Sequence, residues 1–207
     1  MKIDPSRQGH LPRVEPATPF ESPDGRFRGW KVAIPGGHTL ATPAVDGGRV
    51  FLGGGFGSYD FYAFNAADGA LAWQYQTSDD GPTAAVVSEG FVVFNTESCE
   101  LEVLTVEGVP VWKKWLGDPL MSMPAVGGGR VYMAYPDANA RQRHHLACFD
   151  LRTGREYWKQ PIAGEIITAP VLAEGHVHLA TLDGTLYRIG QDDGRVARRD
   201  DRDLLSP

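Results

Sequence analysis

The chain has 207 residues and a formal net charge of -6, with 42% hydrophobic residues, 25 glycines and 15 prolines. That composition is globular and turn-rich rather than disordered, and the negative charge gives no electrostatic reason for nucleic-acid binding, since Arg195, Arg198, Arg199 and Arg202 are interleaved with aspartates. No apolar stretch approaches the ~20 residues of a membrane helix, and the polar, proline-rich start is not a signal peptide, so the sequence reads as soluble and untargeted.

Residues 1–26 read as an irregular N-terminal segment, and Phe27 to Ile34 as an extra strand carrying Trp30. Repeats then follow at about 42–75, 83–116, 122–162 and 167–200, with 201–207 a polar tail. A step from glycine to tryptophan recurs at Gly69/Trp73, Gly108/Trp112 and Gly154/Trp158, and survives in degraded form at Gly194/Arg198. Self-similarity at roughly 40 residues marks propeller blades or solenoid coils. Each repeat opens on a short strand of small residues, Thr42 to Val45, Thr83 to Val86, Ser122 to Val126 and Thr168 to Val171, suited to a crowded axis. Glycine turns follow at Gly47-Gly48, Gly90, Gly128-Gly129 and Gly175, where positive φ closes a tight hairpin. Second strands are Val50 to Leu52, Phe91 to Phe94, Val131 to Met133 and Val177 to Leu179. Third strands are Tyr62 to Phe64, Val103-Leu104, Leu146 to Phe149 and Leu186 to Ile189; fourth strands carry the tryptophans. The expected fold is therefore all-β, a propeller of four-stranded antiparallel blades.

These residues resemble the quinoprotein-like, or PQQ-like, β-propeller repeats, whose motif runs Ala-x-Asp-x-x-Thr-Gly-x-x-x-Trp. The third repeat matches at Asp150, Thr153, Gly154 and Trp158, with Cys148 in the alanine slot. The first matches at Ala63, Asn65, Gly69 and Trp73; the second keeps Gly108 and Trp112 in a shorter form, and the fourth keeps Asp193-Gly194. The resemblance covers residues 27–200 and implies that the tryptophan packs between neighbouring blades. It also implies rings of seven or eight blades, so four repeats make half or part of a ring, completed by a homodimer or by further sequence. A closed four-bladed ring ranks lower. Trp30 belongs either to a strand that closes the ring on the last blade or to the tail of a preceding blade.

Up-and-down strand order puts the connections between second and third strands, and those between blades, on one face. Gly53 to Phe61, Thr96 to Glu100, Tyr135 to His145 and Asp183-Gly184 fall there, which makes it the expected binding face. Tyr59, Asp60, Asp79, Asp80, Glu97, Glu100, Asp118, Glu165 and Asp183 offer an acidic rim, against the plainer reading of solvated loop carboxylates. Arg141, Arg143, His144 and His145 sit in the longest loop, and the adjacent histidines should point to opposite faces, so no metal site is expected from them. Met121 and Met123 read as core or channel filler. Gly53 to Ser58 lacks the lysine and following helix of a phosphate loop and reads as a flexible connection, and no Gly-x-Ser-x-Gly elbow is present. Cys99 and Cys148 read as two buried thiols in preference to a disulfide.

The expected function is a non-catalytic scaffold that binds a protein or small ligand and needs no cofactor, with neither nucleic acid nor a membrane span. By resemblance it is similar to periplasmic lipoproteins of outer-membrane assembly. Two alternatives come from the same resemblance: a dehydrogenase using pyrroloquinoline quinone (PQQ) and calcium, and a sensor domain of a larger receptor or kinase. Those alcohol dehydrogenases often carry vicinal cysteines, which this chain lacks. A periplasmic or extracytoplasmic location is implied by resemblance, with the cytoplasm left open by the sequence.

Overall fold

The computed structural model describes residues 11–117, 122–137 and 143–200. Eighteen strands and no helix occur among them. Four four-stranded antiparallel sheets form in chain order. The first contains β3 (Ala44–Asp46), β4 (Arg49–Gly53), β5 (Asp60–Asn65) and β6 (Leu71–Gln76); the second β7 (Val86–Ser88), β8 (Phe91–Asn95), β9 (Glu100–Thr105) and β10 (Pro110–Trp115). The third contains β11 (Ala125–Gly127), β12 (Arg130–Pro136), β13 (Arg143–Asp150) and β14 (Glu156–Ala163); the fourth β15 (Val171–Ala173), β16 (His176–Ala180), β17 (Leu186–Gly190) and β18 (Val196–Asp200). A two-stranded sheet of β1 (Thr18–Glu21) and β2 (Arg28–Lys31) precedes them. The four sheets stack through their first strands, β3 on β7, β7 on β11 and β11 on β15.

The glycine-to-tryptophan step works across sheets. The indole N–H of Trp73 donates to Val106 O at 2.9 Å, that of Trp112 to Leu151 O at 2.8 Å and that of Trp158 to Gln191 O at 2.9 Å, each carbonyl belonging to the following sheet. The ring then lies against the turn glycine of that sheet. A Cβ on Gly108, Gly154 or Gly194 would come within 2.6, 2.8 and 2.6 Å of the ring, and their φ angles are +84°, +69° and +68°. Glycine is required twice there, for the left-handed backbone and for the ring contact. A register shift in each pair of third and fourth strands lies within two residues of the tryptophan position and turns the strand at this point.

Asp150 shows why the turn motif carries an aspartate and a threonine. Its Oδ1 accepts from the N–H groups of Arg152 (3.0 Å) and Thr153 (2.8 Å) and from the Thr153 hydroxyl (2.8 Å), while the Tyr157 hydroxyl donates to Oδ2 at 2.7 Å. The hydrogen bonds from Tyr157 and Thr153 hold this carboxyl down at about 2. Asp193 plays the backbone part of this role in the fourth sheet, accepting from Arg195 N at 3.0 Å.

Between the sheets lie three apolar clusters. Phe51, Phe61 and Ala63 meet Val92, Phe94 and Leu104; Val93, Leu101 and Val103 meet Val131, Met133, Ala147 and Phe149; Tyr132, Leu146 and Cys148 meet Val177, Tyr187 and Ile189. Strand alternation makes this possible, because the inner strands of the first three sheets are largely apolar on both faces.

Two expectations are corrected and one open alternative is resolved. The first strands begin later than their small-residue runs, at Ala44, Val86, Ala125 and Val171, with the preceding residues outside the ladders. The segment before residue 27, read as irregular, supplies β1, which pairs with β2 across a turn closed by Ser22 N to Phe27 O at 2.7 Å. Of the two readings left open for Trp30, closure of the last sheet is the one set aside, since the fourth sheet has its own β18. Trp30 stands where the tryptophan of a preceding blade would stand, donating to Ala66 O at 2.8 Å and lying against Gly69. The cover over the first sheet is partial. Val87, Val126 and Leu172 pack against the preceding sheet, whereas Val45, at the same register, is 68% exposed.

Candidate functional site: the loop-bearing face

The loops after the second strands and the links between sheets knit together on one side. Gly81 N donates to Ser58 O (2.8 Å), Glu97 N to Asp80 O (2.9 Å), Leu116 N to Cys99 O (2.9 Å) and Leu182 N to Glu165 O (2.8 Å). The glycine run is packed, which corrects its reading as a flexible connection. A Cβ on Gly53 would lie 2.3 Å from Pro82 O, and one on Gly55 2.3 Å from Thr39 O. Close backbone approach requires these glycines.

The candidate residues fall into three separate groups. At the first seam, Asp79 Oδ2 accepts from Ser98 N at 2.8 Å, and Glu100 is held by the Ser78 hydroxyl and by Lys113 Nζ at 3.2 Å. Burial, helped by Asp80 and Asp79, raises the Glu97 carboxyl. Tyr59 lends its backbone carbonyl to Thr77 N at 2.8 Å, and Asp60 is buried in β5, where burial raises its pKa against a hydrogen bond from Gln74 (3.1 Å). The second group is Arg143, His144 and His145, which lie in β13 and not in a loop, because β12 and β13 pair as far as Pro136 and His144. The histidines do point to opposite faces. His145 lies against Tyr135 in a tilted ring contact at 5.7 Å and approaches Asp137 at 3.8 Å, whereas His144 is buried, with Nδ1 lacking a hydrogen-bond partner, and burial lowers its pKa. Asp183 and Glu165 form the third group at the fourth sheet; Asp183 accepts from Thr181 Oγ1 (2.5 Å) and Thr185 N (3.1 Å), which lowers its pKa. Asp118, Arg141 and Met121 lie outside the described residues.

Sequence reasoning missed Glu102. It sits in β9 on the same side as Leu104 and is buried between the first two sheets, where the Tyr75 hydroxyl donates to its Oε2 at 2.7 Å and Oε1 has no partner. Burial pushes this carboxyl up to about 7, against the hydrogen bond from Tyr75. The available signal was one acid inside an otherwise apolar strand, Leu101-Glu102-Val103-Leu104.

Cys99 belongs to the cluster between the second and third sheets and Cys148 to that between the third and fourth, so a sheet separates them and both are free thiols. Burial raises them to about 12 and about 11. The thiols are buried on different seams, and no group of three His, Cys, Asp or Glu side chains among the described residues is placed to hold a cation.

Comparison with known proteins agrees with the geometry. The family model described as outer membrane protein assembly factor BamB matches residues 20–107 and 100–206. BamB of Yersinia pestis is 26% identical over 152 residues, covering 65% of this chain and 37% of its own. Among solved structures, the computationally designed Ika4 protein superposes with a TM-score of 0.65 at 15% identity, covering 76% of this chain and 95% of its own. The quinohemoprotein alcohol dehydrogenase of Comamonas testosteroni gives 0.65 at 14% identity over 79% and 35% of the two chains; that named ADHIIG of Pseudomonas putida HK5 gives 0.60 at 17% over 77% and 33%. The chain thus spans little more than a third of the curated relative, and at these identities the structural likenesses establish the fold. With sheets, seams and turn motifs all of one kind, the chain belongs to the PQQ-like propeller family of the outer-membrane assembly factor BamB.

Proposed function

We propose that this chain is a non-catalytic scaffold that binds a protein of the outer-membrane assembly apparatus through its loop-bearing face, outside the cytoplasm. The family match over residues 20–107 and 100–206 carries the reading. The geometry supports it, because loops cross-tied by Gly81 to Ser58 and Glu97 to Asp80 form a surface whose shape is set before any partner arrives. Its acids are distributed over the first seam and the fourth sheet, which suits an extended protein footprint better than a small converging pocket.

The test is biolayer interferometry of the full chain against the purified components of an outer-membrane assembly complex. Saturable binding is expected, and Glu97→Lys should weaken it at least about tenfold without moving the thermal midpoint. Binding indifferent to that change, or no binding at all, sinks the loop-face reading. A midpoint raised by PQQ with calcium, together with dye-linked alcohol oxidation, would replace it with the oxidoreductase reading.

A further inference from the structure

The seam between the third and fourth sheets carries a polar side chain that the fold leaves unused. Along β13, Leu146 and Cys148 pack into the cluster joining these sheets, and strand alternation puts His144 on the same side. His144 is 8% exposed, and its Nδ1 is buried without a hydrogen-bond partner. The ring does bond the Gly164 backbone in a way that favours the protonated form, so the imidazole donates and the carbonyl accepts. With Nδ1 unpaired, the donor is Nε2, and the neutral ring keeps an unused lone pair at Nδ1.

That lone pair sits beside a cavity. A space of about 430 Å³ opens on the loop-bearing face, lined by Gly164, Glu165, Leu182 and Asp183. Two of these act directly on the imidazole, Gly164 through its backbone and Glu165 through its charge. Among the described residues no ion pair takes up Glu165. Asp183 is kept ionised by its hydrogen bonds from Thr181 and Thr185, and Leu182, 57% exposed, adds an apolar wall. The bond from Leu182 N to Glu165 O fixes the loop and the link that carry these groups to each other.

The side chains on offer are acceptors: two carboxylates and one imidazole nitrogen. A bound metal ion would need three such ligands converging, and no group of that kind occurs among the described residues. A primary alkylammonium ion asks for less convergence, because its three N–H donors point apart and its apolar stem can lie on Leu182. The volume is that of a small-molecule site, ~300–1,000 Å³.

We propose that this cavity binds a primary alkylammonium group, which pairs with Glu165 and Asp183 and donates to His144 Nδ1. A free amine and a lysine side chain carry the same group. The site is apart from the acids of the first seam and stands whether or not a protein docks at Glu97.

The probe is n-pentylamine, titrated into the full isotope-labelled chain above the ordinary histidine pKa of about 6.5, with the ring nitrogens followed by NMR. His144→Phe identifies the His144 signals by their loss. A saturable shift of Nδ1 is expected, and Glu165→Gln should weaken binding about tenfold. Glu107→Gln, on the exposed turn of the second sheet, should leave it unchanged, and the circular dichroism of each variant reports folding. Nα-acetyl-lysine methylamide is the second arm: binding by both compounds assigns the site to lysine side chains, and binding by pentylamine alone assigns it to free amines. The proposal is overturned by an unmoved Nδ1, by equal losses in the two glutamate variants, or by pentanol shifting Nδ1 as pentylamine does, which would indicate an apolar pocket. It is equally overturned if zinc moves Nδ1 and pentylamine does not, because the lone pair would then serve a metal.

Discussion

The seam between the first and second sheets and the seam between the second and third have the same geometry and different chemistry. Both carry a tryptophan over a turn glycine, Trp73 on Gly108 and Trp112 on Gly154. The second is apolar throughout, filled by Val93, Leu101, Val103, Met133 and Phe149. The first combines a stacked pair, Phe61 and Phe94 at 4.2 Å, with the buried carboxyl of Glu102 under the Tyr75 hydroxyl. The repeat therefore specifies where sheets meet and leaves open what they meet with. The first seam holds a titrating group beside the same tryptophan contact that the second seam carries.

The comparison breaks most severely if the clamp is not what holds the seams. Trp112→Ala and Trp73→Ala should each cost about 3–5 kcal/mol in denaturant unfolding, since each removes a half-buried ring and the hydrogen bond it donates across a seam. Near-neutral values at both positions would remove the basis for the seam description.

Next in size is the pH response that separates the seams. Because burial raises the folded-state pKa of Glu102 to about 7, its contribution favours the folded chain most below the unfolded value near 4.5 and declines as pH rises to about 7. The decline amounts to about 3 kcal/mol. Glu102→Gln should flatten this part of the stability profile between pH 4.5 and 8 and leave the penalty of Trp112→Ala untouched. A profile with the same slope in the Gln variant would mean that Glu102 is ionised in the folded chain at neutral pH.

The smallest expected effect tests the turns. Asp150 has a depressed pKa, so its stabilisation is present above about pH 4 and fades as pH falls toward 2. Asp150→Asn should cost under about 1 kcal/mol at pH 7, since the group is exposed and screened, and clearly less at pH 2. A loss that persists at pH 2 would assign the role to shape instead of charge.

The glycine and tryptophan positions made the blades readable in the sequence, because both residues answer to backbone geometry that few others can meet: a positive φ at Gly154 and a flat ring over it. The candidate site was less readable. His144 and His145 read as the end of the longest loop, Tyr135 to His145, yet the ladder from β12 to β13 continues as far as Pro136 and His144. Glu102 escaped because burial depends on the neighbouring sheet and not on its own strand.

Every seam described joins sheets that are neighbours in the chain, so Trp73 reaches a turn in the next repeat and Trp112 a turn in the one after. Folding can therefore advance in the direction of synthesis, each sheet condensing on a surface already formed, with loop closures of a few tens of residues at each step. Disruption of one clamp should then divide the molecule into two separately melting blocks, and the position of the lost tryptophan would set their sizes.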